Sequence, residues 1–344
     1  MPITIIDVAK EAGVSKSTVS LVLNNSNLVK METRYQVLEA IEKLGYVTNI
    51  NARNLITKKT NILGIIYILE DDKRSYDFDN ETGIFGYDVI LGIPNVLKGT
   101  DYGTLTEHFH YQDSHENIPY FVKTNRVDGV FVVGGLYSES LINHLKEYNI
   151  PAVLVNRAYK GVDYVVPDVC DGAYIATKYL VETGHQQICY LNCPPKFASY
   201  SDRKVGFCKA IKEYTDKIAW SKITDTSHNT GVGGYAAIAR LWESGIRPHG
   251  IVAANDAIAL GVMRYFYEHN IRIPDEVSIV SYEDSVLAGY TAPALTTINI
   301  NKTLIGEEAC RILLNRINRP KSNYISLVLP VTLKIRDSVR DRNP

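Results

Sequence analysis

Residues 7–24 read DVAKEAGVSKSTVSLVLN. Val8, Ala9 and Ala12 fall at helical spacing, and Gly13 can take the left-handed conformation that ends a helix. Ser15 is a suitable N-cap for a second helix, in which Val19, Val22 and Leu23 stand at i, i+3 and i+4. Just upstream, Thr4-Ile5-Ile6-Asp7 has the form of a capping box and sets a helix start near Ile5. Two helices of about two turns each, joined by about three residues that include glycine, describe a helix-turn-helix. On the second helix Lys16, Ser17, Ser20, Leu21 and Asn24 face away from the apolar side. They are short or flexible groups able to approach base edges and phosphates in a major groove. The pattern alone is also met by an αα-hairpin with a polar surface, because this geometry recurs without DNA.

Composition narrows the rest. At 344 residues the chain is long enough for two or three domains with a sizeable core. Its apolar fraction of 45% and charged fraction of 22% are those of ordinary soluble proteins. No uninterrupted apolar run approaches the roughly 18 residues of a membrane helix, and no export signal is visible. Five cysteines, at 170, 189, 193, 208 and 310, match no zinc spacing and fit reduced thiols in a cytoplasmic protein. Residues 1–60 hold eight Lys/Arg against five Asp/Glu, a balance of +3, which leaves −4 elsewhere in a chain of net −1. A basic head on an acidic body suits a molecule of which one part meets phosphates.

Thr4, Asp7-Val8-Ala9, Ala12-Gly13-Val14-Ser15, Ser17-Thr18-Val19-Ser20 and Leu23-Asn24 together resemble the headpiece of the LacI/GalR family of bacterial transcription regulators. A third helix is expected from about Glu32 to Leu44, with Val37, Leu38, Ile41 and Leu44 on one side and Gly45 as its stop. In the following GYVTNINARNLITKKT, residues 45–60, Asn49, Ala52, Arg53 and Leu55 resemble the family's hinge helix. So short a helix is marginal alone. The resemblance implies that it forms against a partner's hinge helix and the DNA minor groove, with Leu55 wedged between base pairs. It assigns DNA contact to Thr4, Ser15, Lys16, Ser17, Thr18, Ser20, Leu21, Asn24, Asn49, Ala52, Arg53 and Leu55. Lys16, Ser17 and Leu21 occupy the base-reading positions; Leu21 departs from the polar residues common there and suits a thymine methyl.

From about residue 61 apolar runs alternate with helical stretches. Strands are expected at ILGIIYIL (62–69), VDGVFVVG (127–134), PAVLVN (151–156), ICYLN (188–192), GIVAAN (250–255) and VSIVSY (277–282). Continuous apolar runs mean strands covered on both faces, hence parallel sheets flanked by helices. Asp168, Asp171-Gly172-Ala173, Gly184-His185, Asn255-Asp256, Ala259-Leu260-Gly261, Pro274-Asp275, Leu295-Thr296-Thr297 and Arg336-Asp337-Ser338 extend the resemblance over nearly the whole chain. It implies an α/β protein: an N-terminal three-helix helix-turn-helix headpiece plus hinge helix, then a two-lobed periplasmic-binding-protein-like (type I) core of doubly wound parallel sheets. The expected domains are 1–48, headpiece; 49–60, hinge; and 61–344, effector-binding and dimerisation core.

The resemblance also implies a ligand at the carboxyl ends of the strands. Arg203 matches an arginine whose fork of donors holds hydroxyl or acidic groups. Asn255 offers donor and acceptor for sugar hydroxyls. Asn156 and Glu283 stand where aspartate is usual, and the extra methylene of Glu283 alters the size or tilt of the ligand it can take. The acidic EDDKRSYDFDNETG, residues 70–83, fits the family least and lacks calcium-loop spacing; it reads as a charged loop at the cleft mouth. Tyr76, Phe78, Phe85 and Tyr87 could stack on a sugar, with core packing the alternative for Phe85. GVGG, 231–234, is no phosphate fingerprint, and EHFH, 107–110, is no metal site.

A regulator accounts for head, hinge and body together, a solute-binding protein only for the body, and an enzyme on a doubly wound fold also only for the body, where no nucleophile elbow, Walker or zinc motif occurs. The expectation is therefore a sequence-specific DNA-binding regulator of sugar-metabolism genes, acting most simply as a repressor, in the cytoplasm. It binds palindromic operator DNA as a homodimer and is switched by a sugar or sugar derivative, with a purine-like ligand or a protein co-regulator as alternatives. No catalytic residue, metal, cofactor or membrane contact is expected.

Overall fold

The computed structural model describes residues 3–23, 26–46, 59–69, 81–112, 117–134, 136–193 and 198–343. The chain divides between Thr60 and Asn61 into two compact units.

The first unit holds three helices, α1 (Ile5–Glu11), α2 (Lys16–Leu23) and α3 (Met31–Leu44). The Asp7 carboxylate accepts both the N–H and the hydroxyl of Thr4, at 2.8 and 2.7 Å, and so fixes the start of α1. These bonds hold the Asp7 carboxyl below its ordinary range. At the other end Gly13 has φ +65°, and Val14 N–H returns to the Ala9 carbonyl at 3.0 Å. Ser15 Oγ accepts the Thr18 N–H at 3.1 Å and caps α2. Val8, Ala9, Val19, Val22, Val37 and Ala40 make the core. Leu38, expected inside, is 48% exposed. The inner face of α3 is Val37, Ala40, Ile41 and Leu44, the i, i+3, i+4, i+7 row, and Leu38 lies one position off it.

The second unit is built on two six-stranded sheets. The first lobe contains β1 (Ile62–Leu69), α4 (Glu81–Ile90), α5 (Ile93–Leu97), β2 (Gly103–His110), α6 (Tyr120–Lys123), β3 (Gly129–Val133), α7 (Glu139–Glu147), β4 (Ala152–Val155) and β5 (Asp163–Pro167). The second contains α8 (Val169–Glu182), β6 (Gln187–Asn192), α9 (Ala198–Glu213), β7 (Trp220–Asp225), α10 (Gly231–Glu243), β8 (Gly250–Ala253), α11 (Asp256–Glu268), β9 (Ser278–Glu283) and β10 (Thr296–Asn299). The chain then returns to the first lobe as α12 (Lys302–Asn318) and β11 (Ser326–Leu329), and ends in the second with β12 (Thr332–Lys334). It thus passes between lobes three times, near Asp168, Asn301 and Pro330.

The sheet orders are β2-β1-β3-β4-β5-β11, parallel throughout, and β7-β6-β8-β9-β10-β12, parallel except for β12. All six expected apolar runs are strands. β3 and β8 are buried at every residue, as double-sided cover requires. The GVGG stretch opens α10, and its role is packing. A Cβ on Gly261 of α11 would lie 1.9 Å from the Gly231 carbonyl oxygen, and one on Gly234 would lie 2.2 Å from that of Ile258. The two helices therefore meet backbone to backbone.

Candidate DNA-facing helix and effector cleft

On α2, burying Val19 and Val22 leaves Lys16, Ser17 and Leu21 exposed, with Thr18 and Ser20 half-buried. The Ser15 hydroxyl lies 2.7 Å from that of Ser17 and 2.8 Å from that of Thr18, so the N-terminus of the helix carries a row of linked hydroxyls. Thr4 is exposed at the start of α1. Leu21 is 37% exposed, an apolar side chain standing among hydroxyls and Lys16. Asn24, Asn49, Ala52, Arg53 and Leu55 lie outside the described residues, as do Tyr76 and Phe78.

In the body, three of the four expected ligand residues come together at the carboxyl ends of the second sheet, where α/β folds bind ligands. Arg203 of α9 is 3% exposed and its guanidinium carbon packs on two rings, 4.6 Å from the centre of Tyr200 and 4.1 Å from that of Tyr282. One terminal nitrogen donates to the Ala254 carbonyl, and the other stands 3.5 Å from Glu283 Oε1. Its Nε is buried with no partner among the described residues. Glu283 closes β9 with φ +112°, and Asp284 follows at +50°. Such angles are costly for residues with a Cβ and persist where the surroundings enforce them.

Asn255 is fully buried at the end of the loop after β8. Its Oδ1 accepts the Ile258 N–H at 2.7 Å and caps α11, while Nδ2 donates to the Asn229 carbonyl at 3.0 Å and reaches Tyr200 Oη at 3.3 Å. The amide expected to meet hydroxyls is thus engaged within the protein, and its position suits a residue that orients Tyr200. Asn156 follows β4 in the first lobe with φ +70°, half-buried, its N–H bonded to the Val165 carbonyl at 3.0 Å. Phe85 is core, and Tyr87 is 57% exposed with its ring 5.7 Å from that of Tyr67.

Three site residues escaped the sequence reading. Tyr200 precedes Arg203 by one helical turn and Tyr282 precedes Glu283, so i, i+3 spacing and strand adjacency were the available signals. Asp256 lies beneath them. Its carboxylate is 2% exposed and accepts the Ser285 N–H at 2.6 Å and the Thr297 hydroxyl at 2.7 Å. Burial raises its pKa against those bonds. Tyr282 also reaches the first passage between lobes: its hydroxyl is 3.5 Å from the Asp168 carbonyl, and its ring fits because residue 172 is glycine, where a Cβ would stand 2.4 Å from it. The arrangement can bind and orient a polar ligand next to a segment that joins the lobes. Among the described residues, no group of three His, Cys, Asp or Glu gathers as a metal site, and no helix is long and apolar enough to cross a membrane.

Residues 4–49 match the family model of bacterial regulatory proteins, lacI family, and residues 177–339 match that of the periplasmic binding protein-like domain. The chain is 32% identical over 348 residues to the HTH-type transcriptional repressor PurR of Shigella sonnei, covering 98% of this chain and 97% of that protein. Among solved structures it superposes on a lac repressor dimer bound to operator and an anti-inducer with a TM-score of 0.79, at 24% identity, over 99% of this chain and 100% of that one. On the complex of the transcriptional regulator CelR with cellobiose the TM-score is 0.68, at 27% identity, over 98% of this chain and 99% of that one. Such relatives are transcription regulators and not enzymes. A helix-turn-helix unit followed by a two-lobed body, matched along its whole length, places this chain in the lacI family of bacterial regulatory proteins, as a DNA-binding transcription regulator.

Proposed function

We propose that the protein represses sugar-metabolism genes in the cytoplasm, binding a two-fold-symmetric operator as a homodimer and changing its grip when a sugar or sugar derivative enters the cleft. The proposed parts are the headpiece, 1–48, the connector, 49–60, and the effector-binding, dimerising body, 61–344. The observation that carries the reading is the outer face of α2, where Lys16, Ser17 and Leu21 are exposed while Val19 and Val22 hold the helix to the core. Lys16 and Ser17 suit phosphate and base-edge hydrogen bonds, and Leu21 suits a thymine methyl. Thr4, Ser15, Thr18, Ser20, Asn24, Asn49, Ala52 and Arg53 complete the proposed contact set, with Leu55 as the wedge.

In the body Arg203 and Glu283, together with Asn156 at the end of β4, are the proposed effector contacts, and Asn255 holds Tyr200 in place. The relatives support this class of ligand, since one is complexed with cellobiose and another, from Enterococcus faecalis, with ribose. Exposed apolar side chains on the body, Val232, Tyr267, Val286, Leu287 and Tyr290, supply area for pairing with a second copy. The ligand can shift DNA affinity by no more than its differential affinity for the two lobe arrangements.

The test is selection of random duplexes on the purified full chain, then anisotropy titrations with and without neutral sugars. The expected result is enrichment of a two-fold-symmetric site whose affinity changes when a sugar binds. Leu55→Ala should weaken specific binding about tenfold or more and leave ligand affinity intact. A protein that prefers no symmetric duplex over random DNA overturns the proposal.

A further inference from the structure

The charge inside the cleft carries a more specific conclusion, which rests on the effector-site reading above. We propose that Glu283 sets the charge class of the effector: the site accepts a neutral polyhydroxyl ligand and rejects its carboxylated or phosphorylated counterpart.

An arginine in a ligand cleft ordinarily invites an anion. Here the routes to it are already occupied. The rings of Tyr200 and Tyr282 pack on the Arg203 guanidinium, their centres 4.6 and 4.1 Å from its carbon, and crowd the space around it. Of its donors, one terminal nitrogen is held by the Ala254 carbonyl and the other stands 3.5 Å from Glu283. Nε remains as a buried donor without a partner among the described residues, a match for a single hydroxyl or carbonyl oxygen.

The surrounding charges point the same way. Asp284 pairs with Arg336 at 2.5 Å, and Asp256 lies buried beneath. The strand ends thus gather Arg203 and Arg336 against Glu283, Asp284 and Asp256, two guanidinium groups and three carboxylates. A carboxylate or phosphate entering there meets no net positive charge from this cluster and displaces or repels Glu283. A neutral ligand can share the pair, donating hydroxyls to Glu283 and accepting from Arg203.

The test uses matched probes on the full chain: glucose with glucuronate and glucose 6-phosphate, galactose with galacturonate, and ribose with ribose 5-phosphate, by calorimetry and thermal shift. The wild type should bind at least one neutral member and prefer it over its anionic counterparts by at least about tenfold. Glu283→Gln should weaken the neutral ligand, which loses a charged acceptor, and strengthen the anion, so that the preference collapses, whereas Glu283→Asp should keep the preference. Equal or tighter binding of an anionic member by the wild type, or an unchanged preference in Glu283→Gln, overturns the charge proposal and leaves the sugar-site reading standing. Binding of no member to any of the three proteins overturns the sugar-site reading, and this proposal with it. Unliganded melting temperatures within a few degrees establish that the variants are folded.

Discussion

Replacing Arg316 with leucine should undo the anchor that ties the returning helix to the first lobe. Arg316 of α12 grips Asp163 of β5 through two parallel hydrogen bonds, Nε to Oδ2 at 2.7 Å and Nη2 to Oδ1 at 2.9 Å. The side chains are 8% and 1% exposed. The guanidinium also donates to the carbonyls of Pro320, Ser322 and Asn323 at 3.2, 2.7 and 2.9 Å, which shapes the turn into β11. Asp163 accepts one further bond, from the Ile325 N–H at 2.7 Å. Leucine at 316 leaves that carboxylate buried with a single donor, and removing one member of a buried pair costs about 3–5 kcal/mol. With melting temperature falling by about 2–4 °C per kcal/mol in a unit of this size, the expected drop is roughly 6–20 °C.

Asp163→Leu should cost less, because the stranded guanidinium keeps its three carbonyl partners. The double variant should cost less than the two single losses added together, by at least about 1 kcal/mol, since neither charge is then left unpaired. Denaturant titration of the wild type and the three variants reads these quantities. A loss under about 1 kcal/mol for Arg316→Leu, or simple additivity in the double variant, refutes the reasoning.

His185 is fully buried, its Nδ1 bonded to the Leu180 carbonyl at 2.9 Å, and burial lowers its pKa to about 4. Between pH 6.5 and about 4 the unfolded chain therefore holds a proton that the folded chain does not, so stability declines as pH falls through this window. The wild type should lose about 2 kcal/mol more than His185→Gln between pH 7.5 and 5, and parallel curves count against the assignment. Gly261→Ala forces α10 from α11 at a contact of 1.9 Å and should cost about 1–3 kcal/mol in denaturant melts, while Gly103→Ala, with nothing within 4 Å, should be silent. Asn255→Ala removes the cap of α11 and the donor to Asn229; about 1–3 kcal/mol of destabilisation is expected, and an unchanged midpoint would show the amide to be idle.

The strands that could be read in advance were those buried on both faces, such as GVFVV and SIVSYE, where uniform apolarity is itself the signal. GTLTEHFH and WSKITD form sheet edges, mostly exposed or half-buried, and resemble surface loop in composition. TLK pairs only at its end of the sheet and is three residues long. Leu38 lies outside the core because a helix face is set by angle, and Ala40, two positions on, fits the angle better. In the site, the types of Arg203 and Glu283 suggest chemistry, but nothing local states that two tyrosines from different elements pack on the arginine. Asn255 shows the converse. Its place before Asp256-Ala257-Ile258 is that of an N-cap, a local signal that already accounted for its acceptor oxygen.

The second and third passages of the chain between lobes have a consequence for synthesis. β5 ends at Pro167 and its neighbour β11 begins at Ser326, while α12, which packs on β3, β4 and β5, begins at Lys302. At ribosomal rates of about 5–20 residues per second, the first lobe waits roughly 7–27 s for that helix after β5 is made. During this interval one edge of its sheet is open, so the nascent first lobe is the stage at which this protein most needs a chaperone.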